Sequence, residues 1–269
     1  MKPEPRRGRG QTMPRGLRPL GLLAVAFLGL AGCNDSSALP PDTQAPVSRE
    51  QPELGLFTSL PILWNEGDAF AALGQTGQAA GNPVRDALEE RYRLRALDTL
   101  DGESLAGLSR LVLAQPRPLS GSENVALDDW VRGGGTLILF ADPMLTGHSS
   151  YALGDPRRPQ DVALLSPILA RWGLELQYDP AQSAQERTGQ AFDTTIPIAL
   201  AGSFRPLPSA PIGENAGSTC QPDRGLAVRC EIGDGTVYAI ADAAVLQPHE
   251  GDDAETREQI ARLFAAFRL

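Results

Sequence analysis

From residue 54 to the C-terminus, short apolar runs alternate with segments in which apolar residues recur every three or four positions. Apolar runs without polar alternation are typical of parallel strands covered on both faces, and the longer period is typical of amphipathic helices. The predicted strands are 54–60, 93–97, 111–114, 136–141, 174–178 and 196–200. The predicted helices are 83–92, 104–108, 121–132, 162–172 and 254–267. This alternation predicts an α/β fold, with an open, mainly parallel sheet and helices on both faces.

Three consecutive glycines, 133–135, separate the third predicted helix from the strand 136–141. A phosphate-binding loop lies after a strand and before a helix, and here the order is reversed. Ser120 and Glu123 have the spacing of a capping box that begins the helix, and the glycines supply its left-handed C-cap. We therefore interpret the triplet as a helix terminus.

The pattern becomes less regular after residue 142. Residues 143–161 predict a long irregular loop after a strand, and residues 180–225 are rich in turn-forming residues. The strand-like segments 228–232 and 236–240 flank Gly-Asp-Gly at 233–235, which predicts a small C-terminal β-hairpin.

The N-terminal 33 residues have the pattern of a secretory signal. Arg15 and Arg18 precede the apolar run 20–30, and Leu30-Ala31-Gly32-Cys33 follows directly. This order resembles the bacterial lipoprotein signal, whose lipobox ends in the cysteine that is acylated. A transmembrane anchor is the alternative, but the run is short for a bilayer, which needs about 20 apolar residues. Translation could begin at Met1 or at Met13.

The next segment, residues 34–53, contains four prolines and no periodic apolar pattern, so we expect a tether followed by a single domain over residues 54–269. Asn34, and not an aspartate, follows Cys33. By resemblance to enterobacterial sorting, this favours a periplasm-facing lipoprotein of the outer membrane over one of the inner membrane.

The charge of the chain excludes several kinds of partner. The net charge is −9, and the residues before Cys33 carry six basic side chains and one acidic, so the processed chain has a net charge of −14. A strongly acidic chain is a poor ligand for nucleic acid and for the anionic surface of a bilayer. The only membrane contact that we expect is the lipid anchor.

Cys220 and Cys230 remain as a pair once Cys33 is acylated. In an oxidising compartment such a pair favours a disulfide. Metal binding by the two cysteines is the alternative, although a zinc site typically needs four ligands.

The residue types present exclude several chemistries. Lys2 is the only lysine and lies in the signal, which excludes a Schiff base or a phosphate-loop lysine in the processed chain. The two histidines, His148 and His249, are too few for a three-histidine zinc site. We therefore expect no metal, no cofactor and no catalytic residue.

One candidate site remains, because ligands of open parallel sheets bind beyond the carboxyl ends of the strands. Asp142 and Asp242 each end an apolar strand, and His148 and His249 follow them. Together with Trp64, which follows the first strand, they could line a binding rim. In the alternative interpretation, each aspartate accepts backbone N–H groups after its strand and each histidine is an ordinary loop residue.

A longer pattern occupies residues 98–143. It consists of a strand ending at Pro116, then Leu119-Ser120, Glu123, Leu127, Trp130-Val131, two glycines, an apolar strand and Asp142-Pro143. This pattern resembles the periplasmic auxiliary domain of gliding-motility-type ABC transport systems, which is related to the class I glutamine amidotransferase-like fold. The resemblance implies an amidotransferase-like or flavodoxin-like sheet and association with an ABC transporter or another envelope protein.

Amidotransferase-like enzymes carry a cysteine nucleophile at a strand-to-helix turn. This chain has neither a cysteine at such a turn nor a Gly-x-Ser-x-Gly motif. We therefore expect a lipid-anchored binding or scaffolding protein without catalysis. The alternative is a divergent hydrolase or sugar-binding protein that uses the rim of Asp142 and Asp242.

Overall fold

The computed structural model describes residues 51–64, 81–208, 217–247 and 253–267, all within the contact unit Arg49–Leu269. The strands are β1 (Glu53–Thr58), β2 (Arg93–Ala96), β3 (Arg110–Ala114), β4 (Thr136–Phe140), β5 (Leu174–Gln177), β6 (Arg187–Ala191), β7 (Thr194–Ile198), β8 (Ser203–Pro206), β9 (Ser218–Asp223), β10 (Ala227–Ile232) and β11 (Gly235–Ile240). The helices are α1 (Pro83–Glu89), α2 (Gly102–Leu105), α3 (Gly121–Arg132), α4 (Ser166–Arg171) and α5 (Asp253–Ala266), with a 3-10 turn at Ala244–Leu246. The predicted Cys33 anchor and most of the tether lie outside the described residues.

Seven strands form the central sheet, in the order β2-β1-β3-β4-β11-β10-β9. The first five are parallel to one another, and β10 and β9 are antiparallel additions at one end. In order of appearance the parallel strands run 2-1-3-4-5, which is the order of flavodoxin-like doubly wound sheets. The predicted α/β fold with a mainly parallel sheet and a C-terminal hairpin, β10–β11, is confirmed.

Both faces of the sheet are covered, because successive residues of each central strand point to opposite sides. On one face, Val112 and Ile138 pack with α1, α5 and the β6–β7 pair. On the other, Leu111 and Leu137 pack with α2, α3, α4 and the β5–β8 pair. The uninterrupted apolar runs in β3 and β4 follow from this burial on both sides.

The termini of α3 are as the sequence predicts. The Ser120 side chain accepts from the Glu123 N–H, and the Glu123 carboxylate accepts from the Ser120 N–H, which completes the capping box. Gly134 takes the left-handed conformation, with φ +106°. At Gly135 a Cβ atom would lie 2.5 Å from the Trp130 ring. The glycine triplet therefore ends the helix and lets strand β4 pack closely beneath it.

Three of the predicted helices differ in their bounds. Helix α1 ends at Glu89 and not at residue 92, and α2 ends at Leu105 and not at residue 108. The short helix α2 begins at Gly102 with Asp101 as its N-cap, and not at Ser104. The helix predicted from residue 162 begins at Ser166, because the Ala163 N–H donates to the Asp142 carbonyl 2.9 Å away and holds this segment against the end of β4.

Three strands, β6, β8 and β9, lie in the segment where only the strand 196–200 was predicted. Their sequences are RTGQA, SFRP and STCQPD, and most of their residues are partly or fully exposed. Such strands carry no continuous apolar run. Among the described residues, no helix has the length and apolar character needed to cross a membrane.

Candidate functional site

Asp142 and Asp242 are brought together at the carboxyl edge of the sheet. They follow β4 and β11, which are parallel neighbours with Phe140 opposite Ile240. The two strands therefore end at the same level. Both aspartates are 0% exposed to solvent.

The Asp142 carboxylate is held by backbone donors on two segments. Its Oδ1 accepts from the Met144 N–H at 2.8 Å, and its Oδ2 accepts from the Ala243 N–H at 3.2 Å. Because Ala243 follows the neighbouring strand, this carboxylate ties the ends of β4 and β11 together.

Asp242 is held in the same way. Its Oδ1 accepts from the Ala244 N–H at 2.6 Å, and its Oδ2 accepts from the Ala199 N–H at 2.9 Å. The second contact fixes the segment after β7 over the end of β11. For both residues this is the geometry of the alternative interpretation, in which the carboxylates organise loops.

The environment of the pair disfavours charge. Burial raises the pKa of Asp142 to about 6, against the lowering effect of its two backbone donors. Burial, together with the neighbouring Asp142 carboxylate, raises the pKa of Asp242 to about 7, against the lowering effect of its two backbone donors.

A hydrogen-bond network that the sequence pattern did not predict closes the rest of this edge. Gln115 follows β3, has φ +44° and a side chain that is 0% exposed. Its Nε2 donates to the carbonyls of Asp142 and Gln160, at 3.0 and 2.8 Å. Its Oε1 accepts from the Asp142 N–H at 2.8 Å. Gln115 lies between an apolar strand and Pro116, just as Asp142 lies between an apolar strand and Pro143. This shared pattern was the sequence signal for the role of Gln115.

Ser59, after β1, completes this network. Its hydroxyl donates to the Gln115 carbonyl and accepts from the Gln160 N–H at 2.9 Å. The hydroxyl is thus engaged by backbone groups on both sides. The end of the long loop 143–161 is thereby held across the position where ligands of parallel sheets commonly bind.

The other predicted rim residues do not join the pair. His148 is exposed on the loop, and Trp64 is 36% exposed. His249 lies outside the described residues. Among the residues that the structure describes, no group of three or more His, Cys, Asp or Glu side chains could hold a metal ion. Ligand binding at this rim stays a prediction.

Three clefts lie elsewhere on the described surface. One of about 550 Å³ is at the amino edge of the sheet, where Trp130, Ser109 and Gly135 line it. Two of about 380 Å³ each flank the β6–β7 pair, one beside Tyr238 and one beside Arg187.

The predicted disulfide is confirmed. Cys220 and Cys230 occupy directly opposite positions on β9 and β10, and their sulfurs are bonded at 1.98 Å. The bond attaches the edge strand β9 to the sheet.

Comparison with known proteins gives one family. The sequence profile of the family described as "ABC-type uncharacterized transport system" matches residues 51–192, from before β1 to the end of the β6 strand region. No curated protein sequence matches this chain.

One similar solved structure is the exo-β-1,4-mannosidase Op5Man5 from Opitutaceae bacterium strain TAV5, which is 14% identical to this chain with a TM-score of 0.47. The match covers 81% of this chain and 36% of the mannosidase chain. The mmIFT52 N-terminal domain is 10% identical with a TM-score of 0.46, over 79% of this chain and 95% of its own. This chain thus spans about a third of the mannosidase. Because both TM-scores are below 0.5, these structures inform neither the activity nor the partners of this protein.

Proposed function

Because the chain belongs to the family of ABC-type transport system auxiliary proteins that matches residues 51–192, we propose that it is a non-catalytic subunit that binds or scaffolds such a transporter in the cell envelope. The family match carries this proposal. It includes all of the parallel strands except β11, together with the loops at their carboxyl ends.

The geometry of the carboxyl edge supports a role without catalysis. A general base must reach the proton that it abstracts, and a nucleophile must reach the substrate. Asp142 and Asp242 are fully buried, and the Ser59 hydroxyl is engaged by two backbone groups. These side chains hold loops in place and present no reactive group at the surface.

The place of action follows from the N-terminal pattern. We propose that residues 1–33 are a lipoprotein signal, that Cys33 is acylated, and that residues 34–53 tether the domain 54–269 to the membrane. The outer membrane is the proposed location, with the domain facing the periplasm. The 2-1-3-4-5 order of the parallel strands supports the proposed relationship to the amidotransferase-like fold.

Affinity purification tests the role. The full chain, with a C-terminal tag and at its native level, is cross-linked in intact cells and recovered from solubilised membranes for mass spectrometry. We expect the permease or ATPase subunits of an ABC transporter to be enriched over a Cys33→Ser control, which should not remain on the membrane. Recovery of the membrane-bound chain without any transporter subunit would contradict the proposal.

A further inference from the structure

A cleft of about 380 Å³ lies beside the carboxyl end of β11, and neither Asp142 nor Asp242 lines it. Three segments form it: the start of β6, the connection from β7 to β8, and the turn between β9 and β10. Its volume lies within the range of about 300–1,000 Å³ that small-molecule sites occupy.

The walls of the cleft are attached to the central sheet by backbone hydrogen bonds. The Gly202 N–H donates to the Ala241 carbonyl at 2.7 Å, and the Ala241 N–H donates to the Leu226 carbonyl at 2.8 Å. The Phe204 N–H donates to the Gly225 carbonyl at 2.8 Å. Since these bonds hold the walls before any ligand binds, little ordering would be needed on binding.

The side chains of the cleft are unusual for so acidic a protein. Arg187 and Arg224 line it, and its described lining contains no aspartate or glutamate, although the chain has 33 of these residues. Ser203 adds a hydroxyl, and Ile198 and Leu226 supply an apolar surface. Two cations beside a hydroxyl and a small apolar surface suit an oxyanion on a compact carbon skeleton.

The guanidinium groups of both arginines have N–H donors that are available to an oxyanion ligand. Arg187 donates through Nη2 to the Gln182 side chain at 3.2 Å, at an exposed position. The Nη2 atom of Arg224 lies 3.9 Å from Oδ1 of Asp193. The Arg224 side chain is 57% exposed and the Asp193 side chain is 99% exposed. Exposed ion pairs of this kind contribute little free energy, so a ligand oxyanion can compete with the Asp193 carboxylate.

We propose that this cleft binds a small organic oxyanion, a phosphate ester or a carboxylate, through Arg187 and Arg224. The site is independent of the proposed transporter role, because it rests on the cleft alone. Its occupant contacts Ile198 and Leu226 with its carbon skeleton.

Calorimetric titration of the full chain tests the site. The probes are inorganic phosphate, glycerol 3-phosphate and glucuronate, with glucose as the uncharged probe, at constant ionic strength. We expect saturable one-to-one binding of at least one oxyanion and none of glucose. Preference for glycerol 3-phosphate or for glucuronate then distinguishes a phosphate ester from a carboxylate.

Arg187→Gln and Arg224→Gln should each weaken this binding by about tenfold or more, because each removes a charge-assisted hydrogen bond. Arg205→Gln is the matched control, since Arg205 is an exposed arginine on β8 that pairs with Glu175 outside the cleft. Absence of saturable binding of all three oxyanions would overturn the proposal. So would binding that neither cleft variant weakens.

Discussion

At the residue scale, the buried pair Asp142 and Asp242 shows how a carboxylate can serve the backbone. Burying a charged group is costly unless hydrogen bonds compensate it. Each carboxylate accepts two backbone N–H groups, one from the residues that directly follow its own strand and one from a distant segment. The pair therefore holds the covering loops on the sheet.

The first prediction concerns this pair. Asp142→Asn with Asp242→Asn should lower the free energy of unfolding, because an amide accepts through only one of its two terminal atoms. Each N–H left without an acceptor costs about 1–3 kcal/mol. Urea denaturation measures the loss. Asp179→Asn is the control, since the Asp179 carboxylate also accepts a backbone N–H, from Ala181 at 2.9 Å, but is exposed. A double variant as stable as the wild type would show that the carboxylates do not hold the loops.

The second prediction is a pH dependence of stability. The pKa is about 6 for Asp142 and about 7 for Asp242 in the folded state, against about 3.9 for an unfolded aspartate. Because the raised pKa values favour the protonated carboxyl groups in the fold, the two groups contribute their full stabilisation below about pH 4. This contribution is lost as the pH rises through 6 and 7. The free energy of unfolding should therefore fall by about 5 kcal/mol between pH 4.5 and 7.5.

The double Asn variant is the control for this titration and should show a flatter profile. The titration of Glu123 does not overlap with the pH range in which the two aspartates titrate. Its hydrogen bonds with Arg117 lower its pKa to about 2 despite its burial, so its contribution is present above about pH 4.3 and is lost only below that value. Equal slopes for the wild type and the double variant would show that other groups titrate.

At the scale of elements, a buried charge joins α3 to α4. The Asp128 carboxylate is 0% exposed and accepts from the Nε atoms of Arg132 and Arg171, at 2.9 and 2.6 Å. It also accepts from the Trp172 indole N–H at 2.9 Å. Burial opposes the charge of Asp128, but these three donors outweigh it and lower its pKa.

The third prediction follows from this network. Asp128→Asn should destabilise the protein by about 1–3 kcal/mol, because a buried amide cannot replace the charge-assisted hydrogen bonds of the carboxylate. The guanidinium groups of Arg132 and Arg171 are partly exposed and stay solvated, which limits the loss. Asp129→Asn is the matched control, since Asp129 is the next residue of the same helix and is exposed. Thermal or urea unfolding compares the two. Equal effects at both positions would contradict a special role for the buried charge.

The fourth prediction concerns the disulfide between β9 and β10. β9 is a six-residue edge strand with a proline, and it pairs only with β10 in the central sheet. Closing a ring across a sequence separation of 10 residues stabilises the fold by about 2–3 kcal/mol in the chain-entropy description. Replacing both cysteines by serine should therefore lower the melting temperature, and a reductant should lower it only in the wild type. A wild type that is insensitive to reductant after mass spectrometry confirms full reduction would contradict this prediction.

At the scale of the whole molecule, the two edges of the sheet differ. The carboxyl edge is closed by the network of Asp142, Asp242 and Gln115. The 550 Å³ cleft lies at the amino edge, where the chain enters the sheet at the start of β1. The clefts are therefore open to solvent, whereas the network of Asp142, Asp242 and Gln115 is buried.

The fifth prediction tests how the molecule is held in the envelope. Cells fed labelled palmitate should incorporate the label into the wild type and not into Cys33→Ser, since thioether-linked and amide-linked acyl chains require that cysteine. Cys220→Ser is the control and should keep the label, because it removes a cysteine outside the lipobox. Recovery of the wild type as a soluble, unlabelled protein would contradict lipidation.

The parallel α/β sheet and the α3 boundaries could be predicted from the sequence because each depends on local pattern. The cysteine pair could be predicted because Cys33 is assigned to the lipid anchor and the compartment is oxidising. A strand buried on both faces needs a continuous apolar run, and a capping box needs Ser120 and Glu123 three residues apart. The shared edge of Asp142 and Asp242 was also predictable, since parallel neighbours end at the same side of a sheet.

Burial of those side chains was decided only by the tertiary structure. Ala199 reaches Asp242 across 43 positions, and Arg171 reaches Asp128 across another 43. No short window of sequence contains both partners of such a bond. The inward turn of Gln115 and the exposed strands β6, β8 and β9 depend in the same way on contacts made after the chain has folded back. Whether a carboxylate faces solvent or a loop N–H is set by which distant segment covers it, and that is a property of the packed sheet.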